Sequence, residues 1–225
     1  MQKQLLIAIE GIDGSGKGTQ TAMLENRLRN EGRNVSLFSF PRYASTFFGK
    51  EVGKYLDGQY GSLEAVNPKF SSLLYALDRF ETSPLIEDAL NRNEIAICDR
   101  YIGSNVAHQC ARAASKENAD ELANWIETVE SKILGTRRPD ITILLDIDVD
   151  QSKELVAQKE KRSYTDKSHD LHEASSDHLK NAQEQFRQLA KIESWQTVYC
   201  NHPSGAMRSK SEISDEIFNL IKNYK

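Results

Sequence analysis

The 225-residue sequence predicts an α/β fold in which five parallel strands are wrapped by helices on both faces. Three observations lead there. Short apolar runs at residues 5–9, 35–40, 95–98, 141–147 and 197–200 alternate with segments whose apolar side chains recur every three or four positions. The first run passes directly into a glycine-rich loop that opens a helical pattern. No Pro-, Gly- or Ser-rich linker, internal repeat or low-complexity tract divides the chain, so residues 1–225 read as a single domain.

The loop is Glu10-Gly11-Ile12-Asp13-Gly14-Ser15-Gly16-Lys17-Gly18-Thr19, and it carries the spacing G-x-x-x-x-G-K of a phosphate-cradling P-loop. Glycines let successive backbone N–H groups converge on phosphate oxygens, the following helix presents its positive end, and Lys17 adds a charge for the outer phosphates. Residues 11–19 are therefore expected to bind ATP, and the architecture is expected to be the three-layer P-loop NTPase fold. The helix carrying Thr21, Leu24 and Leu28 closes near Gly32.

Further along, the run at 35–40 stops at Pro41, which cannot donate to a ladder. A helix over 46–56 ends at Asp57-Gly58, and a glycine-punctuated loop, expected to be mobile, leads to Asn67-Pro68. From Phe70, Leu73, Leu74 and Leu77 mark a helix that sets Tyr75 and Arg79 one turn apart on one side. Ser83 is expected to cap a separate helix with Pro84 in its first position. The run at 95–98 delivers Asp99 and Arg100 at its C-terminal end, where open α/β sheets bind ligands. Residues 101–114 read as helical. Ala119, Leu122, Ile126, Val129 and Ile133 then form a stripe that suits either the core or a partner helix. Asp150 is expected to cap the helix containing Leu155 and Val156. Apolar content collapses across 159–173, read as a mobile lid, with a solvated surface loop as the plain alternative. Two further helices, around Leu179–Leu189 in sequence and Ile213–Ile221, flank the last run.

The net charge of −4 argues against general affinity for a nucleic acid polymer or an anionic membrane. Cys98, Cys110 and Cys200 have no metal-type spacing and suit a reducing compartment without disulfides. The start of the chain lacks a signal-peptide layout and no apolar stretch is long enough to span a bilayer, so the expected location is cytoplasmic. His169 and His172 lie three apart with no cysteine pair beside them, which argues against zinc.

A P-loop alone indicates only a nucleoside triphosphate. Phe40-Pro41-Arg42-Tyr43, Leu74-Tyr75-Ala76-Leu77-Asp78-Arg79, and Asp99-Arg100-Tyr101 through Ser104-Asn105 to His108 add more. Together with Asp13 in the loop and the Arg-Pro-Asp-Ile-Thr-Ile-Leu-Leu-Asp run at 138–146, they give the sequence its resemblance to the thymidylate kinase family over nearly its whole length. The resemblance implies transfer of a phosphoryl group from ATP to dTMP with Mg²⁺ as cofactor, in a homodimer. It implies that Lys17 bridges the donor's outer phosphates, that Arg100 holds the acceptor's 5′-phosphate, and that Asp99 organises the metal, through water. It gives Asp13 the sugar 3′-hydroxyl and Arg42 the monophosphate. Tyr75, where the family usually has phenylalanine, would stack on the base, with Arg79 donating to a base carbonyl and Phe40 packing near the ring. Ser104 and Asn105 would line the pyrimidine edge, and His108 would lie beneath the sugar.

Two departures from the family pattern stand out. Gly18 lacks the hydroxyl that ligates Mg²⁺ in many P-loop enzymes, which leaves the metal to phosphates, water and Asp99, with Thr19 on an inner phosphate. Gly14 stands where some members place an arginine on the transferred group, which shifts that role to a cation of the 159–173 segment, with Arg162 the first choice over Lys159, Lys161 and Lys167. The competing readings are a nucleoside monophosphate kinase with shifted acceptor preference, dUMP among others, and a catalytically weak P-loop nucleotide-binding protein.

Overall fold

The computed structural model describes residues 4–157 and 176–224, and the expected lid with Arg162 lies outside them, as do His169 and His172. The chain forms one five-stranded sheet in the order β2-β3-β1-β4-β5, with every neighbouring pair parallel. The strands are β1 (Leu5–Glu10), β2 (Val35–Ser39), β3 (Ile95–Asp99), β4 (Ile141–Asp146) and β5 (Gln196–Tyr199).

β1 lies at the centre and is buried along its whole length, which is why it reads as a continuous apolar run. Its alternate residues enter different cores. Leu5, Ile7 and Ile9 pack with α1 (Lys17–Asn30), α7 (Ser176–Ile192) and α8 (Lys210–Lys222), through Leu24, Leu28, Phe186, Ile217 and Ile221. Leu6 and Ala8 pack on the opposite face with α3 (Pro68–Asn91), α4 (Ile102–Cys110) and α5 (Lys116–Glu127), through Ile86, Leu90, Val106, Leu122 and Ile126. Registers Ile9↔Asp99 and Ser39↔Asp99 align the C-terminal ends of β1, β3 and β2, so the loops leaving them share one rim of the sheet.

Several elements differ from the sequence expectation. α3 runs unbroken through Pro84. Instead of capping a new helix, the Ser83 hydroxyl donates to the Arg79 carbonyl at 3.0 Å and that of Thr82 to Asp78 at 2.9 Å, occupying carbonyls next to the break in the ladder. Burial of Ile86, Ala89 and Leu90 then holds the second half in line. α4 is shorter than 101–114: it starts at Ile102, after Arg100 turns the chain at a positive φ of 66°, and it already ends at Cys110. α6 (Val149–Ala157) is capped by Asp148, whose Oδ1 accepts from the N–H groups of Asp150 and Gln151 at 3.0 and 3.3 Å. Asp150 itself lies inside the first turn. The loop after α2 (Phe47–Leu56) is tethered: the Arg112 guanidinium donates to the carbonyls of Leu63 and Val66.

The stripe on α5 is spent inside the molecule, with Ala119, Leu122 and Ile126 all buried in the second core. It does not continue as an α-helix. Thr128–Ile133 is π-helical, and the Leu134 N–H reaches the Val129 carbonyl at 2.9 Å. The wider turn carries Ile133 out to 73% exposure and leaves Glu130 fully buried. Among the described residues, no helix is long and apolar enough to cross a membrane.

Candidate functional site

The P-loop owes its path to its glycines at two points in particular. Gly11 has φ 145°, and a side chain there would meet the Leu145 carbonyl at 2.7 Å; Gly14 has φ 79°, and a side chain there would meet the Ser152 carbonyl of α6 at 2.2 Å. An arginine at 14 therefore has no room, because α6 packs its main chain against the loop. Lys17 is the first residue of α1 and bends back over the loop, donating to the carbonyls of Gly11 at 3.0 Å and Ile12 at 2.7 Å and to Ser15 Oγ at 3.3 Å. Thr19 is exposed in the first turn of the same helix.

Asp99 ends β3 beside that turn. A Cβ on Gly18 would lie 3.3 Å from Asp99 Oδ2, so the missing side chain at 18 is what lets the carboxylate come this close to the helix start.

Arg100, next in sequence, joins the P-loop to a second cavity. Its Nη2 donates to Asp13 Oδ1 at 2.7 Å, and its Nη1 to the Gly11 carbonyl at 3.1 Å and Ser104 Oγ at 3.0 Å, with His108 Nε2 at 3.3 Å. Burial opposes the guanidinium charge, and the carboxylates of Asp13, Asp99 and Glu10 outweigh it, so Arg100 stays above its ordinary pKa. Glu10 is buried beneath. It accepts from the backbone N–H groups of Tyr101 at 3.0 Å and Ser104 at 3.1 Å and from the Ser104 hydroxyl. Burial raises its pKa, against those hydrogen bonds and the Arg100 charge. This carboxylate fixes the sharp turn that aims Arg100.

The cavity is lined by Asp13, Phe40, Tyr75, Arg79, Arg100, Ser104, Asn105 and His108, all expected from the sequence, with Pro41, Tyr43, Leu56, Tyr101 and Gln109 completing it. Phe40 and Tyr101 hold their rings 5.9 Å apart, and Tyr75 meets Tyr55 edge-on at 6.5 Å. Arg79 is 2% exposed and pairs with the fully buried Glu130, with Nε at 3.0 Å from Oε2 and a second bond through Nη2. Burial works against its charge and Glu130 more than compensates, raising its pKa.

Arg42 is placed differently. Its side chain does not line the cavity; its backbone N–H donates to Asp78 Oδ2 at 2.9 Å, and the Thr46 hydroxyl donates to the other oxygen of that carboxylate. Asp78 thus pins the loop after β2. The Phe40–Pro41 peptide bond within that loop is cis.

Sequence reasoning passed over Glu10, Asp78, Gln109, Glu130 and His178. Gln109 follows His108 and lies one helical turn after Asn105, so helical spacing alone places it near the same wall. Its Oε1 accepts from Ser71 at 2.7 Å and Arg112 at 2.8 Å, and its buried Nε2 has no hydrogen-bond partner among the described residues. His178, on α7, stacks on His108 at 5.6 Å with Nε2 3.4 Å from His108 Nδ1. Nothing local in the sequence connects 178 with 108.

A second, open groove of about 740 Å³ lies beyond the C-terminal ends of β4 and β5, lined by Asp146, Asp148, Gln151, Arg187, Asn201 and Arg208 among others. It flanks the P-loop, since Cys200 Sγ lies 3.9 Å from the Ser15 carbonyl.

Comparison with known proteins identifies the family. The family model described as thymidylate kinase matches residues 9–211. A probable thymidylate kinase of Pyrococcus abyssi is 32% identical over 225 aligned positions, covering 96% of this chain and 95% of its own. The thymidylate kinase of Mycobacterium tuberculosis is 34% identical over 150, covering 67% and 69%. The solved thymidylate kinase of Candida albicans superposes with a TM-score of 0.75 at 25% identity, covering 98% of this chain and 92% of that one. With a family model over most of its length, a full-length relative above 30% identity and the matching fold, the chain belongs to the thymidylate kinase family.

Proposed function

We propose that this chain transfers the γ-phosphoryl group of ATP to the 5′-phosphate of dTMP, giving ADP and dTDP. The observation that carries this reading is the 2.7 Å contact between Arg100 and Asp13, because it makes one residue pair the common wall of the P-loop and the cavity beside it. Phosphoryl transfer depends on positioning and on charge neutralisation, and a shared wall supplies both.

The donor's phosphates lie along the backbone N–H groups of residues 11–19, and its base in the groove at the ends of β4 and β5. Lys17 leaves the loop carbonyls of Gly11 and Ile12 to meet the outer phosphates. The acceptor's base enters between Phe40 and Tyr75, its sugar reaches Asp13 and His108, and its 5′-phosphate meets Arg100. Arg79 and Asn105 read the base edge, and the unpartnered Nε2 of Gln109 offers a further donor there. Arg42 reaches the monophosphate only by moving its side chain inward, and Arg162 completes the site from the lid.

Mg²⁺ fits the donor set. Asp99 offers a hard carboxylate oxygen at the first turn of α1, the ligand type that Mg²⁺ takes alongside substrate phosphates. When bound, the metal neutralises charge on the phosphates. Self-association as a homodimer and a cytoplasmic location belong to the same reading, and light scattering on the purified protein tests the first.

A panel of dTMP, dUMP, UMP, dCMP and AMP with ATP and Mg²⁺ tests the reaction. Formation of dTDP with the highest kcat/KM of the panel is the expected result. Turnover of UMP, dCMP or AMP as fast as dTMP overturns it, and a dUMP preference supports the shifted-acceptor alternative.

A further inference from the structure

We propose that His178, a residue of α7 that does not line the cavity, fixes through His108 the direction in which Arg100 presents its guanidinium to the acceptor's 5′-phosphate. The proposal rests on the reading of this cavity as the acceptor site.

Arg100 spends its Nη1 on acceptors: the Gly11 carbonyl at 3.1 Å, Ser104 Oγ at 3.0 Å and His108 Nε2 at 3.3 Å. The Ser104 hydroxyl gives its own proton to Glu10, so it turns a lone pair toward Arg100. Nη2 meets Asp13 Oδ1 at 2.7 Å. These contacts use neither Nε–H nor the second Nη2–H, and those are the donors left for a phosphate. Where they point depends on the groups that hold Nη1.

A guanidinium has no lone pair to offer. Its contact with His108 is therefore attractive only when Nε2 carries a lone pair, which puts the single proton of the neutral ring on Nδ1. His108 Nδ1 lies 3.4 Å from His178 Nε2. The Nδ1–H donates across that gap, so His178 Nε2 is an acceptor and the proton of His178 sits on its own Nδ1. All protons along the row point one way, from Arg100 to His108 to His178.

Both imidazoles are buried, His108 at 6% and His178 at 4% exposure, and an N–H left unpaired in such a place is costly. Phe186, edge-on to His108 at 5.7 Å, offers it no lone pair. Without the acceptor at 178, His108 gains by moving its proton to Nε2. There the proton meets the Arg100 N–H, and an attraction becomes a repulsion. The contact is made by packing: α7 lays Leu179, Ala182 and Phe186 into the core shared with α1 and α8, and so brings His178 against α4. His178 is a positioning residue, because it reaches Arg100 only by setting the tautomer of His108.

The test compares wild type, His178→Phe and His178→Gln. It reads calorimetric binding of dTMP and of thymidine, which lacks the phosphate, the KM for ATP, and the tautomer of His108 by ¹⁵N NMR. Phenylalanine keeps a ring and removes the acceptor; glutamine supplies one through Oε1. His178→Phe is expected to weaken dTMP at least ~10-fold, as loss of a hydrogen bond to a charged group does, with thymidine binding and the KM for ATP unchanged and His108 protonated at Nε2. His178→Gln is expected to bind dTMP as wild type does and to keep the His108 proton on Nδ1. Equal weakening of dTMP and thymidine in His178→Phe overturns the proposal, because a merely structural role for the ring would affect both. A glutamine variant that behaves like the phenylalanine one also overturns it. Should His178→Phe fail to fold, the wild-type spectrum decides: an Nε2–H tautomer at His108 overturns the relay and leaves the kinase reading intact, whereas wild type that binds neither dTMP nor thymidine overturns both.

Discussion

Replacing Gly14 by alanine tests how the P-loop is built. Two costs apply. At φ 79° an L-residue pays about 1–2 kcal/mol for left-handed backbone. The new Cβ also falls 2.2 Å from the Ser152 carbonyl oxygen, 2.8 Å from its carbon and 3.0 Å from its Cα, all main-chain atoms of α6 that cannot rotate away. Overpacking of this kind adds about 1–3 kcal/mol. Gly16→Ala is the control: its φ of 86° imposes the same backbone cost, and nothing lies within 4 Å of the new Cβ. For a chain of this size about 1 kcal/mol moves the unfolding midpoint by roughly 2–4 °C, so Gly14→Ala should melt roughly 2–12 °C below Gly16→Ala in the same calorimetric scan. Its KM for ATP should rise as the loop is pushed off α6. Equal melting points for the two variants would show that α6 does not close against the loop, and with that the reason for having no arginine at 14 would fail.

Two further expectations follow from the same geometry. Lys17→Ala should lower kcat by about 10²–10³-fold, as the loss of one preorganised charge donor does, while leaving calorimetric binding of dTMP unchanged; unchanged turnover would remove Lys17 from the mechanism. Burial pushes the thiols of Cys110 and Cys200 up to about 12 and that of Cys98 further still, so at pH 8 the reactive thiolate of the first two is on the order of 10⁻⁴ of the total. Because the shift is upward, raising the pH toward 12 restores reactivity. Iodoacetamide with mass spectrometry should modify none of the three in the native protein at pH 8 and all three in urea, and rapid native labelling would contradict their placement in the core.

Much of this was legible because it depends on local patterns. The apolar run of β1, the glycine spacing of the loop and the start of a helix at Lys17 are set by residues close in sequence, and the Asp99-Arg100 pair follows from its place at a strand end. The resemblance to the family, carried motif by motif, named eight of the cavity's lining residues. Local reasoning misread Pro84, because hydroxyl groups one and two residues earlier and a buried second half keep the helix together, a tertiary effect invisible to a proline rule. It chose Asp150 over Asp148 as a cap, since either spacing suits a helix start and only the backbone settles which carboxylate faces the N–H groups. Glu130 was hidden for a deeper reason. A charged residue in an amphipathic stripe reads as surface, and its burial depends on a π turn and on a partner, Arg79, that lies 51 residues away in sequence. His178 meets His108 across 70 residues, through packing of α7 on α4 that no local pattern encodes.

The most direct measurement is a crystal structure of the protein with dTMP and a non-hydrolysable ATP analogue. The base is expected between Phe40 and Tyr75, the 5′-phosphate on Arg100, and the analogue's phosphates along residues 11–19 with Lys17 turned toward them. A dTMP molecule found in the groove at the ends of β4 and β5, with Arg79, Asn105 and Arg100 left uncontacted, would contradict the account.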